Sequence, residues 1–200
     1  MGIKIITISR EFGSGGRTIG KLIAKELGWK FYDRELVNKI SKESNFAKEF
    51  IEKRGEYASS KSEFLYSLIE NFGTTNNGQS INDKLYITQA NIIKDIAEEG
   101  NCVIVGRCSN YILRKRDDVL NIFVHADTAY KSERIVRIYG ETEKSAESRL
   151  KDKDARRAVY YKYYTGEKWG NIKNYDLVMN SGKIGLGNCV DIVVKIVKEK

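Results

Sequence analysis

Residues 9–20 read Ser9-Arg10-Glu11-Phe12-Gly13-Ser14-Gly15-Gly16-Arg17-Thr18-Ile19-Gly20. A short apolar run, Ile3-Lys4-Ile5-Ile6-Thr7-Ile8, comes before them, and a helical pattern of Ile19, Leu22, Ile23 and Leu27 follows. Strand, glycine-rich turn and helix in that order are the layout of a phosphate-binding loop. Gly13, Gly15 and Gly16 let the backbone turn tightly around Ser14 and aim its N–H groups inward. The helix start adds its positive dipole end. Residues 13–18 are therefore expected to hold an anion. In the general pattern G-x-x-x-x-G-K-[ST], Arg17 takes the lysine position, Thr18 the hydroxyl that reaches Mg²⁺, and Glu11 the first glycine. Arginine binds oxygens with a planar fork where lysine is a compact point charge. Glu11 brings negative charge close to the expected phosphates, which calls for a cation between them.

Working outward, runs that read as buried strands are 3–9, 30–32, 102–106, 121–125 and 177–180. Helical periodicity separates them: 19–27, then Leu36, Val37 and Ile40, then Leu85 to Ile96 ending at Gly100, and lastly Val190 to Val197. Alternation of this kind predicts an α/β fold, a parallel sheet with helices on both faces. Ligands of such sheets bind beyond the carboxyl ends of the strands, where the glycine loop falls.

Two hundred residues, 41% of them apolar, suit one domain spanning 1–200. No run approaches the ~18–20 apolar residues of a membrane span. The chain enters a strand at once, with no signal-peptide pattern, and the expected location is cytoplasmic. Cys102, Cys108 and Cys189 have no metal-ligand spacing; Cys102 on a strand and Cys189 on a helix read as buried free thiols, which suit a reducing compartment. His125 closes an apolar strand and reads as core or rim packing. The net charge of +8 invites a nucleic-acid reading, but the excess is local. Seven cations and three anions lie between Arg149 and Lys168, half of the whole surplus. Such a patch fits a small phosphorylated ligand, and nucleic acid is not the expected partner.

Two stretches depart from the alternation. Residues 41–82 are helical and polar and read as an insertion on the acceptor side. Residues 141–172 are charged and tyrosine-rich, with Lys153, Arg156, Arg157 and Tyr160 at i, i+3, i+4 and i+7. That stripe reads either as a solvated face or as a lid whose arginines close on transferred phosphate.

Four groups of residues in order resemble the cytidylate-kinase-like family, a branch of the P-loop nucleoside monophosphate kinases. They are Ile8 to Arg17, Gly28-Trp29-Lys30-Phe31-Tyr32-Asp33-Arg34-Glu35-Leu36, Val103-Ile104-Val105-Gly106-Arg107-Cys108, and Tyr160 to Gly166 with Trp169-Gly170 and Asn174-Tyr175-Asp176-Leu177. The resemblance covers nearly the whole chain. It implies a three-layer P-loop kinase fold with a five-stranded parallel sheet, ATP and Mg²⁺ on the donor side, and a nucleotide or similar small molecule as acceptor. Arg107 matches an arginine that faces the acceptor phosphate in cytidylate kinases, and Cys108 stands where those enzymes have aspartate. Asp33 and Arg34 fall where monophosphate kinases begin their acceptor site. Asp154, Arg156 and Arg157 resemble the lid.

Phosphoryl transfer needs positioning, charge neutralisation and exclusion of water. Gly13, Ser14, Gly15, Gly16, Arg17 and Thr18 are assigned to ATP, with Thr18 also to Mg²⁺. Asp33, Arg34 and Arg107 are assigned to the acceptor. Arg17, Arg107, Arg156 and Arg157 are assigned to the reacting phosphates. The expected activity is ATP-dependent phosphorylation of a small phosphorylated acceptor, such as CMP. The alternative is a nucleotide-binding protein with little turnover.

Overall fold

The strands form on short runs of β-branched residues, which pack well on a pleated surface, and they are buried because both faces of the sheet are covered. The computed structural model describes residues 2–33 and 81–199. Its strands are β1 (Ile5–Arg10), β2 (Lys30–Tyr32), β3 (Cys102–Val105), β4 (Val119–His125) and β5 (Leu177–Asn180). They make one five-stranded, all-parallel sheet in the order β2-β3-β1-β4-β5. The described helices are α1 (Gly16–Leu27), α2 (Ile81–Glu99), α3 (Ser109–Ile112), α4 (Thr128–Tyr139), α5 (Ala146–Thr165), α6 (Ser181–Ile184) and α7 (Leu186–Lys198). A 3-10 turn, Ile172–Asn174, leads into β5.

All five expected strands are present. The first is displaced toward its carboxyl end, because pairing with β4 continues through Arg10↔Val124. β4 begins two residues earlier than expected, since Val119 and Leu120 pair with Ile5 and Ile6. The helix expected to end at Gly100 runs over Ile81–Glu99, and Gly100 follows it at φ 69°.

Ile6 and Ile8 share one face of the sheet with Val103, Val105, Ile122 and Val124. Ile19 and Ile23 of α1 and Cys189, Val190 and Val193 of α7 close over that face. Gly20 allows the approach, since a Cβ there would lie 3.0 Å from Ile8 and 3.1 Å from Val105. Thr7 points to the opposite face and donates its buried hydroxyl to Oδ1 of half-buried Asn121 at 2.7 Å.

The chain divides into two compact units, Met1–Asp33 with Ala97–Lys200, and Arg34–Ile96. The sheet lies wholly in the first. In the second, Ile92, Ile93 and Ile96 of α2 are buried. Arg34, the helical pattern at Leu36, Val37 and Ile40, and the expected insertion up to residue 80 lie outside the described residues. Among the described residues no helix is long and apolar enough to cross a membrane. All three cysteines are free and buried, as expected of Cys102 and Cys189. His125 is half-buried at the end of β4.

Candidate active site

β1 is the central strand, so its carboxyl end meets those of β3 on one side and β4 on the other. Three connections converge there: the β1–α1 loop, the β3–α3 turn, and the β4–α4 turn with the helix that follows.

The β1–α1 loop turns at Gly13 (φ 83°) and Gly15 (φ 82°), conformations that side chains rarely adopt. Space is equally restrictive. A Cβ on Gly13 would lie 2.9 Å from the Lys131 carbonyl, and one on Gly15 would lie 2.6 Å from Leu186 Cδ2. Gly16 opens α1, so the amides of its first turn have no intrahelical partner. Ser14 is fully buried, and its hydroxyl donates to the Glu11 carbonyl at 2.8 Å. The Ser181 hydroxyl lies 2.5 Å from the Ser14 carbonyl and 3.1 Å from that of His125, which ties the loop to the start of α6.

Glu11 has its cation inside the protein. Lys131 of α4 donates to Glu11 Oε2 at 2.6 Å, and the Ala126 amide points to the same oxygen at 3.4 Å. Lys131 and Arg134 are each only 8% exposed, on the helix face that also buries Ile135. Arg134 Nη2 donates to Thr18 Oγ1 at 2.9 Å. Its Nε is buried without a hydrogen-bond partner among the described residues, and would sit 3.4 Å from a Cβ on Gly15. A glycine cradle beside an orphaned arginine donor fits a phosphate oxygen. Neither cation carried a sequence signal beyond charge. The available clue was that both share a helical face with an isoleucine.

Arg17 and Asp33 form an ion pair through Arg17 Nε and Asp33 Oδ2. Their side chains are 57% and 22% exposed. Exposed pairs of this kind are worth about 0–1 kcal/mol, so this one does not lock Arg17 against a phosphate. Thr18 already accepts from Arg134, so a metal ion at its hydroxyl shares the oxygen with that guanidinium or displaces it. Among the described residues no cluster of three or more His, Cys, Asp or Glu could hold a metal.

The β3–α3 turn is conformationally unusual. Gly106, Arg107 and Cys108 have φ values of 80°, 60° and 55°, three consecutive left-handed residues. Such strain costs of order 1–3 kcal/mol for each non-glycine residue and clusters at functional sites. It leaves Arg107 exposed at the sheet edge and turns Cys108 inward, 5% exposed. Burial pushes the Cys108 thiol up to about 12, with Arg107 acting the other way.

The expected stripe on 141–172 is split. Lys153 is exposed, and Arg156 pairs with Asp152 at 3.1 Å. Arg157 turns into the β1–α1 loop, donating to the Arg10 carbonyl and to Asp154 Oδ1, both at 3.0 Å. Asp154 also accepts from the Phe12 amide at 2.7 Å. Burial raises the Asp154 carboxyl above its ordinary value, against the pull of the Phe12 amide and Arg157. Burial lowers the Arg157 guanidinium.

Central β1, the glycine cradle after it and the helix that follows define a P-loop kinase architecture. The sequence carries the assignment further, because the model of the cytidylate kinase-like family matches residues 5–183, and the chain belongs to that family. A cytidylate kinase of Archaeoglobus fulgidus is 29% identical over 98% of this chain and 95% of its own. One from Methanococcus vannielii is 26% identical over 97% and 99%. An uncharacterized protein from Eubacterium ventriosum superposes with a TM-score of 0.74 at 27% identity, over 98% and 99% of the two chains. The shikimate kinase of Bacteroides thetaiotaomicron shares the fold, with a TM-score of 0.52 at 14% identity over 98% of each chain. Family and fold together point to a kinase.

Proposed function

We propose that this chain transfers the γ-phosphoryl group of ATP to a nucleoside monophosphate, with CMP the first acceptor to test. The observation that carries the reading is the cradle of Gly13, Gly15 and Gly16 beside the orphaned Nε of Arg134. That combination suits an anion that brings several oxygens and approaches the backbone closely. The amides of residues 13–18 hold the donor phosphates, and Arg17 leaves Asp33 to join them. Lys131 neutralises Glu11, so the carboxylate does not repel the donor. Mg²⁺, when bound near Thr18, supplies charge neutralisation between the donor phosphates. Arg107 holds the acceptor phosphate from the neighbouring strand, with Asp33 and, on sequence grounds, Arg34. Arg156 and Arg157 belong to a lid over 141–172 that closes on the reacting group. An acceptor phosphate is already ionised at neutral pH, so the chain needs no general base.

One observation favours the alternative of binding with little turnover. Arg17 and Thr18, the two side chains that turnover needs at the phosphates, are both engaged by protein groups. An ADP-release assay with MgATP and a panel of nucleoside monophosphates separates the readings. Transfer predicts ADP formation that depends on the acceptor. Tight ADP binding with no acceptor-dependent release supports the alternative, and absence of both removes the nucleotide assignment.

A further inference from the structure

The segment from Tyr160 to Leu177 carries one of the four family-like groups of residues and supplies no side chain to the proposed substrate contacts. In the folded chain it ties three elements together. Tyr161, near the end of α5, is 3% exposed. Its hydroxyl accepts from Asn110 Nδ2 of α3 at 2.9 Å and donates to Glu167 Oε2 at 3.3 Å. Asn174 Nδ2 donates to the same carboxylate oxygen at 2.7 Å. Thr165 closes the helix end, donating to the Tyr161 carbonyl at 2.6 Å and accepting from the Glu167 amide at 3.1 Å. Tyr175 and Trp169 pack on Phe123 of β4, with ring centroids 5.0 and 5.5 Å away. The network is thus rooted in the sheet at one end and reaches α3 at the other. Burial raises the Tyr161 hydroxyl above its ordinary value, against the bond from Asn110, so it stays protonated at neutral pH and keeps its donor for Glu167.

Asn110 is three residues from Arg107. Gly106, Arg107 and Cys108 are all left-handed, and only one turn of helix, Ser109–Ile112, follows them. One turn is not stable by itself, and strained backbone persists only where its surroundings hold it. Asn110 is 5% exposed and anchors that turn to a helix of 20 residues. On α5, Asp154, Arg157 and Tyr161 fall at i, i+3 and i+7, one face of the helix. Asp154 and Arg157 hold the Phe12 amide and the Arg10 carbonyl of the β1–α1 loop. The same face therefore reaches both loops, the first through residues 154 and 157 and the β3–α3 turn through residue 161.

We propose that Tyr161 is a positioning residue: the hydrogen bond it accepts from Asn110 fixes the β3–α3 turn, and with it the direction in which Arg107 leaves the sheet. The role of Arg107 toward an acceptor rests on the kinase reading above. Tyr161 acts through Asn110 and not by contact with substrate. Phenylalanine in its place keeps the ring packing but leaves Asn110 Nδ2 buried without its acceptor, so the cost falls on the turn.

The test is steady-state ADP release by the full chain with MgATP and CMP. Tyr161→Phe is expected to raise the CMP KM at least about fivefold, with the ATP KM and kcat within about twofold of wild type. Asn110→Leu is expected to do the same. The double variant is expected to be no worse than the worse single, because both changes cut one bond. A merely structural role would lower the melting temperature without singling out CMP. An unchanged CMP KM, an equal rise in both KM values, or effects that multiply in the double variant would each overturn the proposal. If Tyr161→Phe does not fold, Asn110→Leu alone carries the expectations. A wild type without CMP-dependent ADP release would sink the kinase reading instead, and hydrogen exchange then decides the tether. The amides of residues 109–113 are expected to exchange at least about tenfold faster in Tyr161→Phe than in wild type, with those of α1 unchanged. Equal exchange rates at 109–113 would contradict the tether.

Discussion

The two loops on either side of the β1–β3 boundary are built by opposite means. The β1–α1 loop is permissive in sequence and crowded in space. Glycines supply its conformation, and Lys131, Arg134, Leu186 and Ser181 press on it from outside. The β3–α3 turn needs only one glycine, then forces Arg107 and Cys108 into the left-handed region. The first presents backbone to a ligand, and the second presents a single exposed arginine. Backbone amides suit a polyphosphate that runs along the loop, whereas a projected guanidinium suits a terminal phosphate. The difference is what two substrates meeting end to end require.

The sharpest way to break the comparison is to fill the first loop. Gly15→Val combines a β-branched residue at φ 82° with a Cβ that Leu186 already excludes. ADP binding should fall at least about 100-fold, and because Leu186 must move the melting temperature should fall too. Near-normal ADP affinity by calorimetry would refute the cradle. Next come the cations behind the loop. Arg134→Ala removes the orphaned donor, and Lys131→Met leaves Glu11 unanswered beside the phosphates. Each should weaken ADP about 10- to 100-fold, the cost of one charge-assisted contact or one uncompensated charge. Restoration by adding Glu11→Gln to Lys131→Met would tie that loss to Glu11.

A smaller effect separates the two arginines of α5. Arg157→Ala should lower turnover about tenfold, because it removes a contact that holds the loop, while Arg156→Ala should have the weaker effect, since its ion pair with Asp152 lies within its own helix and not on the loop. Equal effects would favour a lid acting as a unit. Arg157→Ala also deletes a charge that opposes the rise at Asp154. The folded carboxyl already binds its proton more tightly than the unfolded chain does. Between the two values, stability from this group therefore falls as pH rises, and the window should widen in the variant. Melting temperatures from pH 4 to 7 read this directly. The smallest effect concerns Cys108. As a buried thiol pushed up to about 12, it should stay unlabelled by a thiol reagent at pH 8 in the native protein and react once unfolded.

The sheet was legible in the sequence because runs such as Ile5-Ile6 and Val103-Ile104-Val105 are short and followed closely by the glycines at 13 and 106, whereas Ile192-Val193-Val194 sits within a longer helical period. The glycine loop was legible because its glycines lie between two periodic segments. The cations that complete it were not. Lys131 and Arg134 lie on a helix whose branched aliphatic residues, Ile135, Val136 and Ile138, all follow them, and only tertiary packing turns them toward Glu11 and Thr18. Arg157 was singled out for its charge, but its role in holding the Arg10 carbonyl depends on how α5 packs on the loop.

The claim that the two loops serve two substrates is tested most directly by binding to Arg107→Ala. Calorimetry should give ADP affinity within twofold of wild type and CMP affinity at least about tenfold weaker, the value of one charge-assisted phosphate contact. Loss of ADP binding with CMP binding intact would contradict the account.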